Sequence, residues 1–321
     1  MAKTSAVKKN VPAAIVTAAP TSVVATSIRQ TTMLGTLSIS VWVGRKNARN
    51  VAEKAEAENN AKKGALSAAL HLMVGVESHV AVVKYVAGVR KWWSEVTVPW
   101  FGGKGGPRAV GTGAVIDLTE QVGMKMRELK ELVKVFVKEY ESTYSARVFD
   151  LGDLYDPKVF PLPSEIESRF RWSLAWDVLP PANDIRILEG IDPAELKRME
   201  REAMEQERTR IARATGDIAQ RLYKVVESMH KTMKVPIGEK GGGFHGSKLE
   251  NISALAELIP SLNFMGDPKL NEMAKLAKKL AQKLPDELKG DEVKRAAAAK
   301  EAGSLASKLS ALFGDDEDDD E

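Results

Sequence analysis

The chain has no cysteine. That excludes a disulfide framework, a thiolate nucleophile and every cysteine-ligated metal site. Histidine is scarce too: His71, His79, His230 and His245 are the whole set among 321 residues. No H-E-x-x-H pattern joins them, so a zinc site has little to draw on. Aromatic residues make up only 6% of the chain, a content that suits helices better than a β-sandwich. Long apolar runs free of charge are also missing. The most apolar stretch, 65–93, contains His71, Glu77, His79, Lys84, Arg90 and Lys91, which rules out a membrane span of about 18 residues. The N-terminus lacks the continuous apolar core of a secretory signal, so a cytoplasmic protein is expected.

What is present points to a folded, basic chain. With 44% hydrophobic and 28% charged residues, it can bury a core, and its length suggests roughly two domains. Charge is divided unevenly. Lys3, Lys8, Lys9, Arg29, Arg45, Lys46 and Arg49 all precede the first acidic residue, Glu53. At the other end, Asp315, Asp316, Glu317, Asp318, Asp319, Asp320 and Glu321 form an unbroken acidic tail on a chain whose net charge is still +3. A basic body with an acidic tail recurs in proteins that handle single-stranded nucleic acid, where the tail competes with phosphates or recruits partners. It recurs equally as a solubilising end.

The expected architecture is mainly α: an elongated helical bundle with helical hairpins and a small β or irregular element. A disordered basic arm is expected over 1–30 and an acidic tail over 314–321. Between them, a helical core is expected over 31–150 with a Gly/Trp loop at 96–113, a Pro-rich connection over 151–191, and a long helix with a C-terminal helical bundle over 192–313. Met33 to Val43 is rich in β-branched residues and reads as a strand, or else as an apolar helix start. Asn47 to Lys63 predicts a polar helix, and 65–93 an apolar one that carries His71 and His79 near one face. Asp117-Leu-Thr-Glu120 has capping-box spacing, and Leu118, Val122, Met126, Leu129, Val133, Phe136 and Tyr140 keep helical period behind it, to near Arg147. Ser164 to Glu167 announces a short helix and Arg171 to Val178 a strand-like patch. Asp192-Pro193-Ala-Glu195 is a helix start for a run to Met233. Its first half alternates Glu and Arg, which fits a solvent-bridging helix or a coiled coil, and an antiparallel hairpin with 117–147 is the expected pairing. Ser247-Lys-Leu-Glu250 and Asp267-Pro268 start two further helices, and 291–313 supplies the last.

Few segments carry chemistry. Gly241 to Lys248 has the glycine spacing of a phosphate loop, but Ser247 and Lys248 are transposed and no strand precedes it, so a hinge is expected. Asp150, Asp153 and Asp156 lack the glycine-bearing pattern of a calcium loop and read as turn and capping residues. Phe101 to Arg108 sets Lys104 and Arg108 among glycines beside Trp92, Trp93 and Trp100. Aromatics stack on unpaired bases while nearby cations hold phosphates. Arg45, Lys46, Trp92, Trp93, Trp100, Lys104 and Arg108 are therefore the candidate contacts for nucleic acid, single-stranded DNA in particular, with residues 315–321 as the partner-recruiting tail. An ordinary loop with inward tryptophans is the alternative. No catalytic residue, metal or cofactor is expected, and the chain is read as non-enzymatic.

Several segments together resemble a known family: Leu37-Ser-Ile-Ser-Val-Trp42-Val-Gly44-Arg45-Lys46; Phe160-Pro-Leu-Pro163-Ser164 with Phe170-Arg-Trp172; Leu179-Pro-Pro-Ala-Asn-Asp-Ile-Arg186; and Leu249-Glu-Asn251-Ile with Leu262-Asn263-Phe-Met-Gly266-Asp267-Pro268. The pattern resembles the domain of unknown function 3150 of bacteriophages and bacteria, over roughly 33–275. That family has no established catalytic residues to carry over. The resemblance implies a phage origin, hence the host cytoplasm, and work beside a MoxR-type AAA+ ATPase and a von Willebrand A protein. A structural adaptor or substrate-loading partner of such an ATPase is thus the second functional expectation, with the 195–213 face as its docking surface. Assembly into a homo-oligomer is a further one.

Overall fold

The computed structural model describes residues 30–100, 105–179 and 193–313. The N-terminal arm, residues 101–104 with Lys104, the 180–192 connection and the acidic tail lie outside them. The expected mainly α class holds: eight α-helices surround a small antiparallel sheet among the described residues. Strand β1 (Thr32–Ser40) lies between β5 (Arg108–Gly111) and β6 (Arg171–Val178), and β4 (Val98–Pro99) flanks β5. The two strand-like patches of the sequence are thus partners, paired from Met33↔Val178 to Ser40↔Arg171.

Because side chains alternate across a strand, β1 feeds two cores. Leu34 joins a cluster with Val98, Trp100, Ala109 and the C-terminal helices. Ile39 and Leu37 face a second cluster built on α2 (Glu77–Val96) and α3 (Val115–Leu151). Between them, Gly35 lets two indoles reach the strand: a Cβ there would come within 2.6 Å of Trp176 and 3.0 Å of Trp93. Helix α3 buries the periodic set Leu118, Val122, Met126, Leu129, Val133, Phe136 and Tyr140. It stops at Gly152, whose φ of +49° is accessible to glycine and whose N–H donates to the Val148 carbonyl.

Several local expectations need correction. The 65–93 run is not one helix: Ala69–His71 forms β3, paired with β2 (Arg45–Asn47), and the helix starts at Glu77. His71 and His79 therefore do not share a helix face. The segment 96–113 is not a plain loop but contains the β4–β5 hairpin. Asp117 is not a cap, since α3 begins two residues earlier and has no side-chain cap bond. Ser247 likewise opens α5 (Ser247–Leu262) without capping it. The polar helix α1 is shorter than expected, Arg49–Glu58. The 164–167 signal yields only a 3-10 turn at Glu167–Arg169. Asp267 does cap as expected, accepting from Lys269 N at 2.7 Å and Leu270 N at 3.2 Å to start α6 (Pro268–Ala281).

The long helix α4 (Pro193–Lys234) does not pair with α3. It packs against α8 (Glu292–Phe313) and α5, with the short α7 (Pro285–Gly290) beside α8. Small residues explain that choice: Ala298, Ala299, Ala302 and Ala306 are buried on α8 facing Ala214, Ile218, Ala219 and Leu222 in the same core. Contact is close enough that a Cβ at Gly303 would sit 2.6 Å from His230. At the end of this interface Arg295, 1% exposed, donates to five carbonyls. Nη2 reaches Thr232 O at 2.8 Å, Val235 O at 2.9 Å and Gly242 O at 2.6 Å; Nε reaches Met233 O and Nη1 Leu288 O, both at 3.3 Å. Leu288 O belongs to α7; the other four carbonyls belong to the last turn of α4 and the segment after it, where a helix leaves its carbonyls without internal partners. Replacing Arg295 by Met strands them in a dry core. Arg295→Met is expected to lower unfolding free energy by at least about 3 kcal/mol in urea titration, and Arg295→Lys to recover only part, since an ammonium lacks the planar fork.

Candidate nucleic-acid interface

Among the described residues, the candidates do not converge on one surface. Trp93 is buried against Trp176, with ring centroids 6.0 Å apart. Trp100 is buried against Phe264 at 6.4 Å. Neither offers a face to a nucleobase, which a stacking platform requires. Trp93 and Trp100 are core residues, contrary to the expectation that they stack on bases. Adjacent positions on a helix point about 100° apart, so Trp92 is half-buried at the margin of the core that Trp93 enters. Its ring is already covered by the Lys125 ammonium, 4.6 Å from the centroid.

Arg108 is also committed within the fold. Its Nε donates to Thr97 Oγ1 at 2.5 Å, and Nη2 donates to Ser94 O at 3.0 Å and Thr97 O at 2.9 Å. Thr97 Oγ1 in turn donates to the Trp93 carbonyl. A second guanidinium, not foreseen from sequence, closes the same helix end. Arg221 of α4 donates to Glu95 O at 2.9 Å and Thr97 O at 3.1 Å, and pairs with Asp217 at 2.5 Å. Two arginines from different elements thus meet the exposed carbonyls at the C-terminus of α2, where the helix dipole favours positive charge. Burial, then the neighbouring Arg221 charge, pulls the Arg108 pKa below its ordinary value, with Asp217 opposing. Arg147 repeats the theme, donating to Val74 O at 2.7 Å and pairing with Asp150 at 2.7 Å, and Arg90 donates to Ile39 O at 2.6 Å.

On the β2–β3 ribbon Arg45 is exposed, while Lys46 pairs with Asp156 at 3.0 Å. The Lys46 hydrogen bond, with the Lys158 backbone N–H, holds the Asp156 carboxyl below its usual range. Asp156 thereby caps a 3-10 turn. The 241–248 segment does not cradle an anion either: Lys248 Nζ donates to Ser228 Oγ at 2.9 Å and Thr232 Oγ1 at 2.8 Å. Among the described residues, no three histidine or acidic side chains come together to hold a metal ion.

Among the exposed cations, four lysines lie together on α6. Lys269, Lys275, Lys278 and Lys279 are exposed and make no ion pair among the described residues. The acid on this helix, Glu272, is 3.7 Å from Lys308 of α8. Sequence reading passed over these lysines because alternation with Leu270, Met273, Ala277 and Leu280 marks an ordinary amphipathic helix. No family model matches the chain, and neither a curated protein nor a solved structure does.

Buried His79 gives a pH test of this half of the molecule. It contacts Trp42 O at 3.0 Å and packs on Trp42 and Phe136. Desolvation outweighs that bond and lowers its pKa below 6.5. The unfolded chain then binds more protons between the folded value and 6.5, so stability is fully present above that window and falls as pH drops through it. The urea midpoint should decline on acidification from pH 7.5 to 5, and His79→Gln should flatten that decline.

Proposed function

We propose that the chain is a non-enzymatic nucleic-acid-binding protein that grips the phosphate backbone with the exposed lysines of α6 rather than by base stacking. The observation that carries this reading is the unpaired cluster Lys275, Lys278 and Lys279. Like charges three and four positions apart on a helix repel, at a cost of a few tenths of a kcal/mol per pair. A polyanion relieves that repulsion and releases its own counterions on binding. The body–tail charge asymmetry supports single-stranded DNA as the ligand, with residues 315–321 competing for the same lysines.

Fluorescence anisotropy of a labelled single strand tests this. At about 50 mM salt, Lys275→Gln/Lys278→Gln/Lys279→Gln is expected to weaken binding on the order of tenfold and to reduce the salt slope by about two. Deleting 315–321 is expected to tighten it. Binding that is absent at low salt, or indifferent to the triple substitution, refutes the proposal.

A second reading rests on the first half of α4. Residues 201, 202, 204–206, 208 and 209 are exposed, Met204 by 50%. Arg198 bridges Glu195 and Glu202 on the same helix. An exposed charged helix face of this kind suits docking to a larger assembly such as an AAA+ ATPase. Co-elution with such an ATPase that is lost on reversing Arg198 and Arg208 supports it, and the absence of co-elution with or without nucleotide removes it.

A further inference from the structure

Strand β6 is the outer strand of the four-stranded sheet, and its far edge has no backbone partner among the described residues. Edges of this kind are templates for another strand. Folded chains often blunt them with proline, a bulge or brevity, as the two-residue β4, ending in Pro99, does on the opposite side. β6 has none of these. It is eight residues long, lacks proline, and leaves Trp172 49% and Val178 75% exposed.

The sequence of this edge is complementary to itself. Consider two copies of RWSLAWDV running antiparallel about a two-fold axis through Leu174. The register pairs Leu174 with Leu174 of the second copy, Ser173 with Ala175, Trp172 with Trp176 and Arg171 with Asp177. Side chains of directly opposed residues share a face. The face of Trp172, Leu174 and Trp176 is continuous with Ile39, Leu37 and Gly35 of β1, through the pairs Ile39↔Trp172, Leu37↔Leu174 and Gly35↔Trp176. The opposite face carries Arg171 and Asp177, both exposed and without an ion pair among the described residues. Each of them meets an opposite charge in the pairing, twice over by symmetry. Shifting the register by one residue in either direction removes both the direct charge matches and the direct tryptophan matches.

We propose that this chain forms a two-fold symmetric dimer through β6, joining two four-stranded sheets into one of eight strands, with Arg171 opposite Asp177 and Trp172 opposite Trp176 across the axis. The interface is isologous, as closed dimers require. It is independent of the nucleic-acid reading, because no lysine of α6 takes part.

Sedimentation equilibrium of the full chain, with three variants, tests it. The wild type is expected to dimerise. Arg171→Glu and Asp177→Arg are each expected to weaken the dimer on the order of tenfold, since each turns two cross-strand attractions into repulsions. The double swap Arg171→Glu/Asp177→Arg is expected to restore it, an outcome that a merely structural role for either residue does not produce. Directly opposed residues lie about 4.5–5.5 Å apart at Cα, within disulfide reach. In a chain without native cysteine, Ser173→Cys/Ala175→Cys should therefore give a covalent dimer on mild oxidation. A wild type that stays monomeric at high micromolar concentration overturns the proposal. So does a dimer indifferent to the single charge reversals, or a monomer that dimerises only when 1–29 is deleted, which would mean that the arm of the same chain takes the edge.

Discussion

A guanidinium donating to the carbonyls at a helix end is the interaction on which this structure turns. The last carbonyls of a helix have no internal partner, and burying them unsatisfied is costly. Here Arg295 closes α4, and Arg108 with Arg221 closes α2. Each uses several N–H groups of a planar fork, and Arg221 and Arg295 join elements far apart in the chain. Arg221 and Arg108 are the more consequential pair for architecture, because they tie α4 and the β4–β5 hairpin to the same helix end. The two hydrophobic cores are thereby held in register by polar contacts as well as by the shared sheet.

That sheet acts as a partition. β1 sends Leu34 to one side and Ile39 to the other, so neither core is complete without it. Gly35 matters because the indoles of Trp93 and Trp176 occupy the volume where a side chain would be. The same arrangement leaves β6 at the margin, with one edge satisfied by β1 and the other without a strand partner among the described residues. The lysines Lys269, Lys275, Lys278 and Lys279 of α6 make no ion pair among the described residues. The contrast is chemical: the planar guanidinium groups of Arg108, Arg221 and Arg295 serve the fold, and the flexible, strongly hydrated ammonium groups of α6 stay on the surface.

Much of the fold was legible. The period of Leu118 to Tyr140 located α3; the β-branched run from Met33 favoured a strand over a helix start where β1 lies, and Arg171 to Val178 read as strand-like where β6 lies, because these signals are local. Pairings were not legible. The partner of α4 depends on a run of alanines in α8 that carries almost no amphipathic signal, so the charged first half of α4 suggested the wrong hairpin. β3 hid inside an apolar run that also fits a helix, and Pro99 with Pro107 made a short hairpin read as a loop. The candidate site was less legible still. Trp92 and Trp93 are indistinguishable in sequence, and only the packing of α2 separates the half-exposed ring from the buried one. Arg108 beside glycines looks the same whether it awaits a phosphate or caps a helix. What decides is Arg221, more than a hundred residues away.

Nitrogen-15 NMR of the arginine side chains, with and without a single-stranded oligonucleotide, tests this division most directly. The account predicts slowly exchanging, well-dispersed Nε–H signals from Arg108, Arg221 and Arg295 that keep their positions when the strand is added, while lysine ammonium signals shift. Rapidly exchanging signals from those three arginines, or shifts that track the added strand, would contradict it.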